Sequence, residues 1–447
     1  MNIPQTWTLT QLGNLTAQIV GGGTPSKTSA ANFNGHIPFM TVKDLKARFV
    51  NTTVDHISEE ALQSSATTKV PADTLIVATR MSLGKIARPT MDVAINQDLK
   101  ALFLHGGVNK TFVEYFWRSK SQAIQSMGTG TTVKGIRLED IRSLEVPLAP
   151  VAEQKRIADK LDTVLTRVDA VNTRLARVAP LLKRFRQSVL AAATSGRLTE
   201  DWREIRETAP WTDKRIEDVA KVFLGRQRSP VNHEGPFMRR YVRAANVTWS
   251  GWDLSDVKEM NFDADDFERY RLQKNDILLN EGSGSADEVG KPAIWNEEIP
   301  DCCFQNTLIC VRPETVDAKF MFLVLLHAAL TKRFVDSTRG VNIHHIGKQN
   351  MARFPVAVPN ADEQTEIVRR VETLFALADR LEARLAQAQT AATRLTPALL
   401  AKAFRGELVP QDPNDEPAAE LLRRLQAQRA TAPKASAGRG RKAVVHG

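Results

Sequence analysis

The chain has 447 residues, too many for one ordinary core and enough for two globules of about 150 residues each plus connecting helices. Its 61 Lys and Arg against 51 Asp and Glu leave a formal charge of +10 and a sequence pI near 9.5, a balance that favours a polyanionic partner. The three cysteines, Cys302, Cys303 and Cys310, fit neither a disulfide framework nor zinc spacing; they sit in one apolar stretch expected as a buried strand and predict a reduced, cytoplasmic protein. The opening Met1–Thr6 has no basic and apolar leader, and the longest apolar run, Phe320–Leu330, falls short of a membrane span, so no membrane association is expected.

In chain order, residues 1–150 form a first domain expected to be mixed α/β and strand-rich. Thr74–Ala78 and Leu99–Leu104 are predicted strands, and Lys110–Ser126 a helix. Residues 151–205 carry a central helix starting near Glu153, after Pro150. Its apolar ladder runs Ile157, Leu161, Val164, Val168, Val171, Leu175, Val178, Leu182, Phe185, Val189, in alternating steps of four and three. From Ile157 to Val189 such a rod is ~50 Å long. Pro180 falls within it and is expected to kink or interrupt it.

Residues 206–360 repeat the style of the first domain, with strands at Asp276–Leu279 and Thr307–Val311 and a helix at Ala318–Phe334. Residues 361–425 carry a distal helix after Pro359, where Asn360 and Glu363 resemble a capping box. Its ladder is Ile367, Val371, Leu374, Ala378, Leu381, Leu385, Ala388, Ala392, Leu395, Leu399, the first ladder displaced by 210 positions without a gap. The expected helix-helix packing residues are Ile157, Leu161, Val164, Val168, Leu175, Leu182, Ile367, Val371, Leu374, Leu381, Leu385 and Leu395. Residues 426–447 are expected to be a disordered basic tail.

The repeat extends past the ladders. Glu153-Gln154 recurs as Glu363-Gln364, Arg174-Leu175-Ala176 as Arg384-Leu385-Ala386, and Gly196-x-Leu198 as Gly406-x-Leu408. Fainter echoes are Trp7-Thr8 with Trp211-Thr212, Asp73 with Asp276, Gln97 with Gln305, and Gly130-x-x-Val133-x-x-Ile136 with Gly340-x-x-Ile343-x-x-Ile346. Duplication gives the order globule, helix, globule, helix. The fold class is α+β: two mixed α/β domains separated by two long helices that pair as an antiparallel coiled coil, with an internal pseudo-two-fold repeat.

Searching for chemistry yields little. There is no phosphate-cradling Gly-rich loop with Lys-Ser or Lys-Thr, no dinucleotide fingerprint around Gly21-Gly22-Gly23, and no Asn-Pro-Pro or Asp-Pro-Pro motif for amino methylation. Asp73, Asp98 and Lys100 loosely mimic a restriction-type nuclease site, but the second copy has Asn306 and Leu308 in place of Asp98 and Lys100. His344-His345 has no acidic cluster nearby in sequence and reads as a polar loop. No catalytic or metal-binding residue is therefore assigned.

What remains are basic and amide groups in corresponding loops. In the first domain these are Lys27, Lys43, Arg80, Lys85, Gln97 and Lys134. In the second they are Arg226, Arg228, Arg239, Arg240, Arg243, Asn280, Lys291, Gln305, Asn306, Arg339, Asn342 and His344. Such side chains neutralise phosphates and fork onto guanine or adenine edges, so they are the candidate DNA contacts.

The phrases Phe185–Trp202 and Lys402–Asn414, with Glu-Gln at each helix start, resemble the central and distal spacers of the specificity (S) subunit of type I restriction-modification enzymes, the HsdS family. That resemblance implies two target recognition domains, each reading half of a bipartite double-stranded DNA site, and a helical ruler between them. It also implies two methyltransferase (M) subunits that carry S-adenosylmethionine and methylate adenine, and two restriction (R) subunits that use ATP and Mg. The chain itself would be non-catalytic. Competing readings are a self-sufficient nuclease or methyltransferase, and a coiled-coil adaptor outside restriction-modification.

Overall fold

A computed structural model describes residues 3–129, 134–230, 233–334 and 344–431. Among these, the helices of ten residues or more are α1 (Lys110–Ser119), α2 (Val151–Thr194), α3 (Ala318–Leu330), α4 (Ala361–Ala403) and α5 (Ala418–Thr431). The chain divides into two compact units, residues 1–174 with 388–447, and residues 175–387. The first unit takes the N-terminal part of α2 and the C-terminal part of α4, and the second takes the remainder of each. The two helices therefore run antiparallel.

α2 runs through Pro180 unbroken, so the expected interruption does not occur, and Pro397 likewise lies inside α4. Both prolines are on exposed positions. Proline removes one backbone donor, a local loss that leaves the helical run on either side intact. The helices end where a left-handed residue is needed: Gly196 and Gly406 have φ of 76° and 77°, which explains the repeated Gly-x-Leu.

In the first unit a five-stranded sheet has the order Thr16–Gly21, Leu99–Leu104, Leu75–Ala78, Ile86–Pro89, Phe49–Val50. A four-stranded sheet has the order Asp55–Ile57, Ile37–Met40, Val93–Ile95, Thr68–Val70, and Thr8–Gln11 pairs with Glu145–Leu148. The principal core gathers Trp7, Phe112, Phe116 and Trp117 against Ile157, Leu161 and Leu165 of α2, Leu400 and Ala403 of α4, and Phe404 just beyond it. The predicted Lys110–Ser126 helix is broken at Lys120 into α1 and a short helix, Ser121–Met127.

The second unit repeats this plan: Ala220–Leu224, Leu308–Pro313, Ile277–Asn280 and Pro292–Ile294 in one sheet, then Lys258–Asn261, Met238–Val242 and Cys303–Phe304 in another. Thr212–Arg215 pairs with Pro355–Val358, the counterpart of the Thr8–Gln11 pairing. The single strand expected for the cysteines is two: Cys303 and Cys310 lie in different sheets, because the turn at Gln305-Asn306-Thr307 separates them. All three thiols are free and buried, and that burial raises their pKa.

The repeated Glu-Gln has a structural reason. Gln154 Oε1 accepts the Asn109 N–H at 2.9 Å and its Nε2 donates to the Ala149 carbonyl at 2.8 Å. Gln364 does the same with Asp317 N–H at 2.7 Å and the Pro359 carbonyl at 2.9 Å. Asn109 and Asp317 are the residues whose side chains cap α1 and α3, so each glutamine ties the start of a domain helix to the start of a long helix. Glu153 accepts from Trp7 Nε1 at 2.9 Å and Gln411 at 2.6 Å, while Glu363 accepts from Thr199 at 2.7 Å and Arg203 at 2.6 Å. Asn360 Oδ1 accepts from the Glu363 N–H at 2.9 Å and starts α4.

Along the ladders, Ile157, Leu161, Val168, Leu182, Ile367, Val371 and Leu385 are buried, and Val164, Leu175 and Leu374 are half-buried. The counterpart pair Val171 and Leu381 is exposed by 44% and 40%, and Leu395 by 45%. Within the second unit Arg186 of α2 meets Asp379 at 2.7 Å and Glu382 at 3.1 Å on α4. The tail expected from residue 426 instead begins inside α5. Leu421 and Leu425 are buried in the first unit, and Arg429 donates to the Thr16 carbonyl at 3.0 Å and to Asn14 Oδ1 at 3.1 Å. Packing stabilises these turns, which carry too short an apolar stripe to announce themselves in sequence. Residues 432–447 of that expected tail lie outside the described residues.

Candidate nucleic-acid interface

In the first unit one sheet edge collects several of the expected groups. The chain leaves the strand Thr16–Gly21 over the end of Val93–Ile95, so close that a Cβ on Gly22 would overlap the Ile95 carbonyl. This brings the Thr24 hydroxyl onto Gln97 Oε1, to which it donates. Beyond Ala78, the Thr79 N–H donates to the Asp98 carbonyl at 2.8 Å and its own carbonyl accepts from Ile136 N–H at 3.0 Å. Arg80 then bridges Gly135, so Arg80, Gln97 and Lys134 converge, all exposed. Lys100 joins them: burial, then the nearby Arg80, lowers its pKa, and Asp98 opposes the shift.

The other expected residues of this domain stand elsewhere. Lys27 is exposed on its loop, and Lys43 faces Asp55 at 3.8 Å. Lys85 lines a groove toward α2 with Arg48, Tyr115 and Leu165. Arg48 there holds Asp162 of α2 at 2.5 Å and the fully buried Glu114 at 2.7 Å, a network that fastens the domain to the helix.

The second unit builds the same edge with different side chains. A Cβ on Gly225 would overlap the Gln305 backbone, Arg226 bridges Gln305, and the Asn306 N–H donates to the Arg226 carbonyl at 3.0 Å. After Asn280, the Glu281 N–H donates to the Thr307 carbonyl at 3.0 Å and its carbonyl accepts from Ile346 N–H at 2.9 Å. Gly282–Ser283 pairs with His344–His345, as Arg80 does with Gly135. Gln305, Asn306, Asn280 and the His344 backbone are thus brought together. Asn280 is 4% exposed and its Oδ1 has no partner among the described residues.

Several expected cations of this domain have internal partners. Arg226 meets Asp266 at 2.5 Å and lies over the Phe262 ring, Arg243 meets Asp256 at 2.7 Å, and Arg240 meets Glu259 at 3.6 Å. Arg239 stacks on Phe267, and Lys291 is buried against Glu288. Arg228 is exposed. Arg339 and Asn342 lie outside the described residues, as does the His344 side chain.

Sequence reasoning missed Glu281, whose carboxylate lies 2.7 Å from Nδ1 of His345. Its only signal was its place just after a predicted strand. The loose nuclease constellation is occupied differently: burial opposes it, but Lys110 at 2.6 Å and Arg88 at 3.2 Å hold the Asp73 carboxyl below its usual range. Among the described residues no group of three or more His, Cys, Asp or Glu is arranged to hold a metal ion, and no helix is long and apolar enough to cross a membrane.

The duplication of the domains agrees with what comparison with known proteins finds. The type I restriction modification DNA specificity domain matches twice, over residues 4–179 and 209–389. The chain is 27% identical over 460 residues to the EcoKI specificity subunit of Escherichia coli (strain K12), covering 96% of both proteins. It is 31% identical over 353 residues to the EcoBI specificity subunit of Escherichia coli, covering 72% of both. The fold matches the HsdS subunit from Thermoanaerobacter tengcongensis with a TM-score of 0.62 at 17% identity, over 91% of this chain and 99% of that one. It also matches a chain from a structure of a type I R-M system, TM-score 0.66 at 16% identity, over 91% of this chain and 100% of the other. With both domain matches spanning most of its length, the chain belongs to the family of type I restriction-modification specificity subunits, non-catalytic subunits that direct catalysis by their partners.

Proposed function

We propose that each globule of this chain reads one half of a bipartite, asymmetric double-stranded DNA site, and that the paired helices α2 and α4 set the gap between the halves. The observation that carries this reading is the recurrence of one loop edge, fixed by the same backbone hydrogen bonds, with Arg80, Gln97 and Lys134 in one copy and Gln305, Asn306, Glu281 and His345 in the other. Shared scaffolding with different polar tips suits two readers of different sequences.

Two methyltransferase subunits carrying S-adenosylmethionine would methylate adenine at this site, and two restriction subunits would add ATP- and Mg-dependent cleavage, all in the cytoplasm. Methylating an adenine inside a duplex requires the base to leave the stack, so the edges must hold the DNA through that distortion.

Mapping N6-methyladenine across the host genome, with and without this gene, tests the reading. Loss of one gapped, two-part methylation motif in the deletion is the expected result; an unchanged methylome in a strain whose methyltransferase subunit is expressed would refute it. In the same assay, one heptad inserted into both α2 and α4 adds ~10 Å of helix and should lengthen the gap by about three base pairs while leaving both half-sequences intact. Altered half-sequences would overturn the ruler.

A further inference from the structure

Resting on the DNA-reading role proposed above, we propose that His345 contacts a base edge in the half-site read by the second globule and that Glu281 is its positioning residue. Both backbones are fixed: Glu281 by its bonds to Thr307 and Ile346, His345 by its ladder with Gly282. The Glu281 carboxylate lies 2.7 Å from Nδ1 of His345. An ionised carboxylate only accepts hydrogen bonds, so Nδ1 carries the proton and Nε2 is the atom left to meet a ligand. The His345 side chain is 57% exposed and that of Glu281 18%, so the ring stands in solvent with its support behind it. Among the described residues no partner is recorded for Nε2.

The first globule shows that the pair is not needed to build the edge. Its counterparts are Thr79 and Gly135, which make the same backbone bonds, Thr79 N–H to Asp98 at 2.8 Å and Ile136 N–H to Thr79 at 3.0 Å, with neither a carboxylate nor a ring. The two copies therefore differ in chemistry at a shared backbone position, as sequence discrimination demands. The carboxylate also selects the kind of ligand. A negative charge within hydrogen-bond distance of the ring opposes a phosphate, whereas the neutral base edges of the major groove offer the amino groups of adenine and cytosine, which donate to the Nε2 lone pair.

The test uses the chain assembled with its methyltransferase subunits, on duplexes carrying the wild-type motif and every single-base change in both half-sites. Wild-type complex without any two-part preference would refute the DNA-reading role itself, before this inference is reached. With that preference established, H345A should lose about tenfold of discrimination at one base pair of one half-site, leaving the other half-site unaffected. E281A should loosen the same base pair to a smaller extent, and E281D should restore part of it. Unaltered discrimination in folded H345A overturns the inference, and so does a uniform fall in methylation on every duplex, which marks a phosphate or folding role. Should H345A fail to fold by circular dichroism, H345Q carries the same comparison, with relaxation at one base pair supporting the pair and its absence refuting it.

Discussion

Replacing Gln154 or Gln364 by alanine should damage each glutamine's own unit, because each does the same work there. Gln154 is fully buried and Gln364 is 3% exposed. Each accepts one backbone N–H, from Asn109 or Asp317, and donates to one carbonyl, of Ala149 or Pro359. Truncation removes two hydrogen bonds and leaves the buried Ala149 or Pro359 carbonyl without that partner, while the N–H of the half-buried Asn109 or the exposed Asp317 can turn to water. With one buried group orphaned, the cost is about 1–3 kcal/mol in the affected unit. Gln154→Glu should cost at least as much, since it sets a carboxylate oxygen against the Ala149 carbonyl.

A two-unit chain need not unfold in one step, so the assay must report each unit separately. Hydrogen exchange followed by mass spectrometry does so. In Gln154→Ala the peptide containing Asn109 and the start of α1 should exchange about tenfold or more faster, and in Gln364→Ala the peptide containing Asp317 and the start of α3. Urea denaturation should show the matching loss. A change below about 0.5 kcal/mol in both variants, or acceleration in the wrong unit, would refute the argument that the repeated Glu-Gln exists to join two helix starts.

Two further outcomes follow from the structure. The Glu366 carboxyl is held at about 2, below its ordinary 4.5, first by its bond to Arg369, then by Arg370, with burial opposing them. Its folded value is depressed, so its stabilisation is present above 4.5 and fades as pH falls toward 2; denaturation midpoints of wild type and E366Q should converge on acidification, and a pH-independent difference would contradict this. Gly225→Ala places a methyl against the Gln305 backbone and should displace the loop carrying Arg226, costing about 1–3 kcal/mol and weakening methylation through the second half-site. Wild-type stability and methylation in that variant would show the close approach to be immaterial.

The duplicated plan is legible in the residues alone, because its signals are local. A ladder of apolar residues at steps of four and three can bury itself only as a helix seam, and Gly196 and Gly406 stop their helices because glycine alone enters the left-handed region without cost. Strands such as Leu75–Ala78 and Leu99–Leu104 were legible for the same reason, as short apolar runs between turns. α5 was not, because Leu421 and Leu425 gain their burial from the first unit and not from their own periodicity. Nor was the division of each long helix between two units, which depends on what packs beside each half.

The candidate site was legible in kind and not in detail. Composition and loop residues pointed to nucleic acid, but whether an arginine is available to it depends on partners far away in sequence. Arg226 is taken by Asp266 and Arg243 by Asp256, pairings made when distant segments of the chain come together. Glu281 and His345 lie 64 positions apart and meet only because the Gly282–Ser283 ladder with His344–His345 sets them side by side. Side-chain chemistry is written residue by residue in the sequence, whereas the proximity that turns a carboxylate and an imidazole into one reading element is a property of strand register, which only the tertiary structure decides.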